Sequence, residues 1–355
     1  MVKSTTPFLT STINKARPLA CWVVTNGRAG TEKQCIALSR GLGFEPEIKR
    51  VCLKFPWSVL PEKLWFAPLH AYHQDQARLQ PPWPDVIISS GRAAAPAMAA
   101  LHKKLGRHSP YIIHIQDPRL RASHFHKVIV PYHSDVSGEN VLHIHGALHE
   151  ITPASVKGAA LSWADKWTGL LDCSKPPIGV FLGGVSRYYK VTRKVSKSMA
   201  EQLAQLNEEG YPLLITASRR TPSFLLDDLK NKMDPALSFI WDHEGENPYL
   251  AILESAAAYL VTTDSVSMIS ELCALGKPVY IIPLPPKPKL RPCRLERFRY
   301  LCEKKNFVKP FLGGVDVHMI NHTFNDLPYV VGQIKPALQR YLEQSQCGES
   351  KVITN

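Results

Sequence analysis

Short apolar runs, each closing in small polar or glycine residues and followed by a stretch of helical period, recur along the chain. They fall at residues 21–25, 85–90, 111–116, 127–130 and 141–144, then at 178–182, 213–216, 237–241, 259–261 and 279–282. Continuous apolar runs of this kind suit strands buried on both faces, and their alternation with helical segments predicts parallel α/β sheets. The stretch 259–284 shows the pattern most plainly. Tyr259, Leu260 and Val261 lead into Thr262, Thr263 and Asp264, and Ser265 opens a helix with Met268, Leu272 and Leu275 at helical spacing. Gly276 and Pro278 then stop that helix before the strand at 279–282.

A loop that ends a parallel strand and starts a helix presents free N–H groups and the positive end of a helix dipole. Thr263, Ser265 and Ser267 are therefore placed to hold a phosphate, and Glu271, four residues after Ser267, shares its helical face and suits sugar hydroxyls. Other strand ends repeat the theme. Gly183, Gly184, Ser186 and Arg187, with Lys190 beyond them, follow one strand, and Ser218, Arg219, Arg220 and Thr221 follow the next. The adjacent arginines are expected to act on phosphate rather than on the fold. In the first half, Gly27 and Gly30 lie in a glycine loop where Thr31 is expected to cap the next helix and Glu32 follows; Ser90, Gly91 and Arg92 open another helix. Asp117 ends a strand at its carboxyl edge. Taken singly, each of these loops reads equally as an ordinary tight turn or capped helix.

The run Ser270-Glu271, four residues, Gly276-Lys277-Pro278 resembles the donor-site signature of GT-B glycosyltransferases, in which the Glu binds the nucleotide ribose. Residues 263–268, with Ser218-Arg219-Arg220-Thr221-Pro222 and Asn247-Pro248-Tyr249 upstream, resemble the mitochondrial-fission Elm family, a GT-B-like group with many bacterial members. The resemblance spans roughly residues 20 to 340. It implies a GT-B-like fold of two Rossmann-like parallel-sheet domains facing a cleft. It also implies a nucleotide-diphosphate sugar held by Gly183, Gly184, Ser186, Arg187, Lys190, Ser218, Arg219, Arg220, Asn247, Thr263, Asp264, Ser265, Ser267, Met268 and Glu271. Gly27, Gly30, Thr31, Ser90, Gly91 and Arg92 would form acceptor-side loops, with Glu32 or Asp117 as the base. The function implied is transfer of a sugar to an unidentified acceptor, a cell-envelope or lipid-linked molecule among the candidates. The alternatives are a nucleotide-sugar epimerase and a non-catalytic adaptor of the Elm type. No D-x-D motif occurs in the chain, which agrees with the metal independence usual in GT-B enzymes, and no cofactor is expected.

The 355 residues suit two domains. The expected division is a disordered 1–19, an N-terminal domain at 20–172, a C-terminal domain at 176–326, a helix at 327–345 returning to the N-terminal domain, and a tail at 346–355. That last helix is expected to be interrupted at Gly332 and Pro336. Eight cysteines without a C-x-x-C pair fit a reducing cytoplasm. Nine of the fourteen histidines lie between His102 and His149, but matching carboxylates are missing and no metal site is expected.

The net charge is +13, and nine basic residues against Glu296 and Glu303 concentrate more than half of it at 287–309. Such a segment implies an anionic partner or a solvated helix face; no stacking aromatics or motif accompany the charge, which ranks nucleic acid well below an anionic membrane surface, and no nucleic acid is expected. Residues 53–69, with Trp57, Trp65, Phe66 and nearby lysines, read first as a core-capping loop and, as the alternative, suit the same interface. The expected location is cytoplasmic and peripheral, on the inner face of the cytoplasmic membrane. Oligomeric state is left open.

Overall fold

A computed structural model describes residues 18–73, 79–287 and 293–350. The chain divides into two compact units, one running to His149 and resuming at Asp326, the other being Glu150–Asn325.

The first unit contains β1 (Cys21–Thr25), α1 (Ala29–Gly41), β2 (Glu47–Arg50), β3 (Val86–Ser90), α2 (Ala95–Leu105), β4 (Tyr111–Ile115), β5 (Lys127–Pro131) and β6 (Val141–Ile144). Its sheet runs β2-β1-β3-β4-β5-β6, all parallel, with Val23 opposite Ile48 on one side and Ile88 on the other. Strands this apolar need cover on both faces. Leu38 of α1 and Leu42 at its C-cap pack on one face, and Met98 and Leu101 of α2 on the other.

The second unit contains α3 (Pro153–Val156), α4 (Ala164–Leu171), β7 (Ile178–Leu182), α5 (Arg193–Glu208), β8 (Leu213–Ala217), α6 (Ser223–Lys232), β9 (Ser238–Trp241), α7 (Tyr249–Ser255), β10 (Ala258–Thr262), α8 (Val266–Cys273), β11 (Val279–Ile282), α9 (Cys293–Lys304) and β12 (Lys309–Pro310). Its strands are again parallel, in the order β12-β11-β10-β7-β8-β9. That is the doubly wound order, reversing between β7 and β10, and such a reversal opens a crevice at the carboxyl ends of the two central strands.

The chain finishes with α10 (Asp326–Ser350), whose Val330, Ile334, Leu338 and Leu342 close the same face of the first sheet as α1. Asp326 ties its start to that unit by accepting the backbone N–H groups of His145 and Gly146 at 2.9 and 3.0 Å.

Three expectations change. Residues 150–172 belong to the second unit, because Trp163 and Trp167 stack on each other and against Phe239, within the cluster that holds Phe181 and Tyr259. The last helix is not interrupted. It starts at Asp326, continues beyond 345 to Ser350 and carries Pro336 inside it; the carbonyl deprived of a partner by Pro336 is that of Gly332, and the buried stripe on either side outweighs the loss. Trp57 and Trp65 are not surface anchors, being 8% and 9% exposed and packed around Ala71. Residues 1–17 and 351–355 of the expected terminal segments lie outside the described residues.

Candidate functional site

At the β7–β10 reversal the loop after β7 is closed by hydrogen bonds to its neighbours. The Gly183 N–H donates to Thr262 Oγ1 at 2.7 Å, and the Thr262 hydroxyl donates to Asp264 Oδ1 at 2.7 Å. The Gly184 N–H donates to Asp264 Oδ2 at 3.2 Å, and Arg220 Nη1 pairs with the same oxygen at 2.6 Å. Asp264 is thus a buried carboxylate whose oxygens are satisfied by an amide, a hydroxyl and a guanidinium.

Both glycines are required by close approach. A Cβ on Gly183 would run into the Asp264 carboxylate, and one on Gly184, where φ is +156°, would meet the Arg220 carbonyl. The next two amides are also satisfied within the loop, Val185 by the Arg220 carbonyl and Ser186 by that of Tyr189. Thr221 completes the knot by donating to Gly183 O at 2.5 Å and accepting the Ser218 N–H at 3.0 Å.

The four amides from Gly183 to Ser186 are thus all engaged within the protein, and the expectation of a phosphate cradled by the glycine backbone has no free N–H group there. Arg187 and Arg219 are exposed and Lys190 and Ser186 half-buried, with Ser186 Oγ accepting the Tyr189 N–H at 3.1 Å. The Ser218 hydroxyl accepts the Arg220 N–H at 3.3 Å. A second stretch of chain joins here: Tyr189 bridges Pro286, and Lys190 N–H reaches Pro285 O at 3.2 Å, so the end of the β11 loop lies alongside the glycine loop.

Ser265 is the N-cap of α8, accepting the Met268 N–H at 3.4 Å, while the Thr263 hydroxyl turns to the Ile282 carbonyl at 3.0 Å. Ser267 and Met268 are half-buried, and Met268 packs against the core. Glu271, buried on α8, accepts a short hydrogen bond from the Tyr249 hydroxyl. Burial, then the Glu271 charge, pushes the Tyr249 phenol well above its usual range. Asn247 is exposed and its side chain accepts the Tyr249 N–H at 3.0 Å, orienting the start of α7.

In the first unit the reversal falls between β1 and β3. Glu32 receives Arg50 in a fork, Nε to Oε2 at 2.9 Å and Nη2 to Oε1 at 2.8 Å, and also the Thr25 hydroxyl at 3.2 Å. The Arg50 hydrogen bonds hold its carboxyl below the usual range against the opposing effect of burial. Gly27 is exposed at φ +74°, its N–H on Thr25 Oγ1 at 3.1 Å. Thr31 does not cap α1: the helix already begins at Ala29 with Arg28 as N-cap and no side-chain cap, so Gly30 and Thr31 lie inside its first turn.

Ser90 is buried and donates to Ile115 O at 2.8 Å, and Gly91 takes φ +80°. Arg92 Nε and Arg119 Nη1 converge on the buried Glu62 at 2.9 and 3.3 Å. Asp117 Oδ1 accepts the Arg119 N–H at 2.8 Å. Arg50 and Glu62 were missed by sequence reasoning: their partners lie 18 residues away for Arg50 and, in Arg119, 57 residues away for Glu62. Among the described residues no group of three or more His, Cys, Asp or Glu is placed to hold a metal ion.

Two parallel six-stranded α/β units, with polar loops gathered at the carboxyl edge of each sheet, define a GT-B-like fold. The UDP-GlcNAc 2-epimerase of Methanocaldococcus jannaschii shares it, with a TM-score of 0.51 at 10% identity over 91% of this chain and 100% of that one. The chain belongs to the mitochondrial fission ELM1 family, whose model matches residues 29–338. It is 28% identical over 223 residues to the mitochondrial fission protein ELM1 of Arabidopsis thaliana, covering 56% of this chain and 51%, about half, of the plant protein. An uncharacterized protein of Rickettsia prowazekii is 27% identical over 302 residues, covering 73% of this chain and 82% of its own.

Proposed function

We propose that this chain is a GT-B-type glycosyltransferase that takes its sugar from a nucleotide-diphosphate sugar. The observation that carries the reading is the meeting of Arg220, Asp264 and the start of α8 at the β7–β10 reversal, with the Glu271 carboxylate farther along the same helix. In this reading the ribose hydroxyls take Glu271 from Tyr249. The diphosphate lies against the first turn of α8 and the side chains of Arg187, Lys190 and Arg219. When the bond between the sugar and the phosphate breaks, negative charge grows on the departing diphosphate, and these cations and the helix end stabilise it there.

The acceptor oxygen forms the new glycosidic bond and loses its proton to a carboxylate. Asp117 suits that role better than Glu32, whose basicity is suppressed by the Arg50 fork. The acceptor is assigned to the first unit through Gly27, Ser90, Gly91 and Arg92. We place the protein at the cytoplasmic face of an anionic membrane, held in part by α9, which buries Phe298 and Cys302 and exposes Arg294, Arg297 and Lys304.

The test is calorimetric titration of the full chain with UDP, ADP and GDP. At least one should bind, and binding should weaken in Glu271→Ala. Absence of binding by all three at millimolar concentration would remove the reading. A second reading, a non-catalytic adaptor, is favoured by the internal satisfaction of Glu271 by Tyr249. An adaptor would retain partner binding in Glu271→Ala and release no sugar from any donor. An epimerase would instead convert a nucleotide sugar with no acceptor present.

A further inference from the structure

Residues 53–72 leave the first unit as a closed excursion. Its neck is zipped by Leu53 facing Tyr72, by Lys54 N–H on Ala71 O at 3.0 Å and by His73 N–H on Cys52 O at 3.2 Å; the Tyr72 hydroxyl donates to Ala93 O at 2.6 Å. Inside, the two indoles act as struts, Trp57 Nε1 donating to Phe66 O at 2.7 Å and Trp65 Nε1 to Leu60 O at 3.1 Å. Arg92 and Arg119, from the carboxyl edge of the sheet, clamp the excursion through Glu62.

A segment framed in this way holds its exposed side chains in place, and four of the large ones are apolar. Phe55 is 79% exposed, Val59 68%, Leu64 65% and Phe66 57%. Four large apolar side chains held in water on one short segment mark a surface made to be covered. The charges beside them are of one sign. Lys54 and Lys63 flank the patch, Lys54 lying over the Trp57 ring at 5.5 Å, and Glu62, the only acid in the excursion, is matched by two arginines.

We infer that this face docks on an anionic bilayer, with Phe55, Val59, Leu64 and Phe66 entering the interfacial layer and Lys54 and Lys63 meeting lipid headgroups. Apolar tips next to Lys54 and Lys63, with the single acid already paired, match that environment, whereas a protein partner would be expected to meet a polar rim of both signs. Trp57 and Trp65 serve beneath as the frame. The assignment rests on the membrane placement proposed above, but none of Lys54, Phe55, Val59, Lys63, Leu64 and Phe66 belongs to the proposed donor or acceptor site, so vesicle binding and nucleotide binding can fail separately.

The experiment is co-sedimentation of the full chain with phosphatidylcholine vesicles, with and without phosphatidylglycerol. The variants are Phe55→Ser/Val59→Ser/Leu64→Ser and Lys54→Gln/Lys63→Gln, with Phe66 kept because its ring packs on Trp57 at 5.0 Å. The wild type should bind the anionic vesicles, and the triple Ser variant should bind them more weakly by about tenfold or more. The Lys variant should lose affinity for anionic vesicles alone, and both variants should keep the wild-type melting temperature and nucleotide affinity. Unchanged sedimentation of the triple variant would overturn the proposal, as would failure of the wild type to bind. A dimer seen by light scattering and dissolved by the same substitutions would also overturn it, making the face a contact between copies of this chain.

Discussion

Arg220 and Asp264 form an ion pair of unequal partners: Nη1 and Oδ2 are 2.6 Å apart, the carboxylate is wholly buried and the guanidinium is 39% exposed. The pair divides two arginines that are adjacent in sequence. Arg219→Gln should leave the melting temperature unchanged and weaken diphosphate binding. Arg220→Gln should weaken binding and also destabilise the second unit, by about 1–3 kcal/mol, because a buried carboxylate loses its charged partner. Thermal unfolding and calorimetry on the two single variants check this, and equal melting temperatures would refute the division.

Gly183→Ala tests the same knot from its other side. The added methyl meets the Asp264 carboxylate, which cannot retreat without releasing Thr262 or Arg220. A loss of about 1–3 kcal/mol is expected from overpacking, read in denaturant unfolding. Gly314→Ala, where a Cβ would meet nothing nearby, is the control and should be close to neutral.

The Tyr249–Glu271 hydrogen bond makes two substitutions separable. Glu271→Ala should lower nucleotide affinity by about 1.5–3 kcal/mol, the range for a hydrogen bond to a charged group. Tyr249→Phe removes the internal competitor for that carboxylate and should not weaken nucleotide binding, while lowering the melting temperature. If Tyr249→Phe abolishes binding and Glu271→Ala does not, the ribose assignment fails.

Stability should fall in mild acid. Burial lowers His114 to about 3 and His126 to about 4, and Nδ1 of His126 accepts the Ile112 N–H at 2.9 Å, a bond that requires the neutral ring. Both native values lie below the ordinary histidine range, so from about pH 6.5 downward the unfolded chain takes up protons that the native state refuses. Their contribution is present above that pH and is lost as pH falls towards the native values. For the fully buried His114 the loss reaches about 2 kcal/mol at pH 5. Unfolding midpoints measured between pH 7.5 and 4.5 should decline, with a shallower slope in His126→Asn; a flat profile would contradict the assignment.

Strands were legible wherever an apolar run was continuous. β2 was not, because Glu47, Lys49 and Arg50 surround a single Ile48 on an edge strand and carry no such run. The helices at 153–171 were legible as helices, but an amphipathic face says that something covers it, not which unit does. In the same way, aromatic and basic residues at 53–69 signalled an interface without telling which side chains turn outward; Trp57 and Trp65 face in, Phe55 and Leu64 out. At the candidate site the loops were read correctly as strand-end loops, but their internal bonding depends on residues far apart in sequence, such as Gly184 and Asp264, 80 positions apart.

The placement of α10 sets an order on synthesis. The second unit is one continuous stretch and can close once residue 325 has left the ribosome, whereas the first, begun earlier, lacks Val330, Ile334, Leu338 and Leu342 until those residues have emerged in turn. The unit translated first is thus completed last, with the face of α1 and β1 meant for α10 open in the meantime. A nascent chain stalled before residue 326 would display that face, and a premature stop there would give a protein whose later half is folded and whose earlier half is prey to proteases.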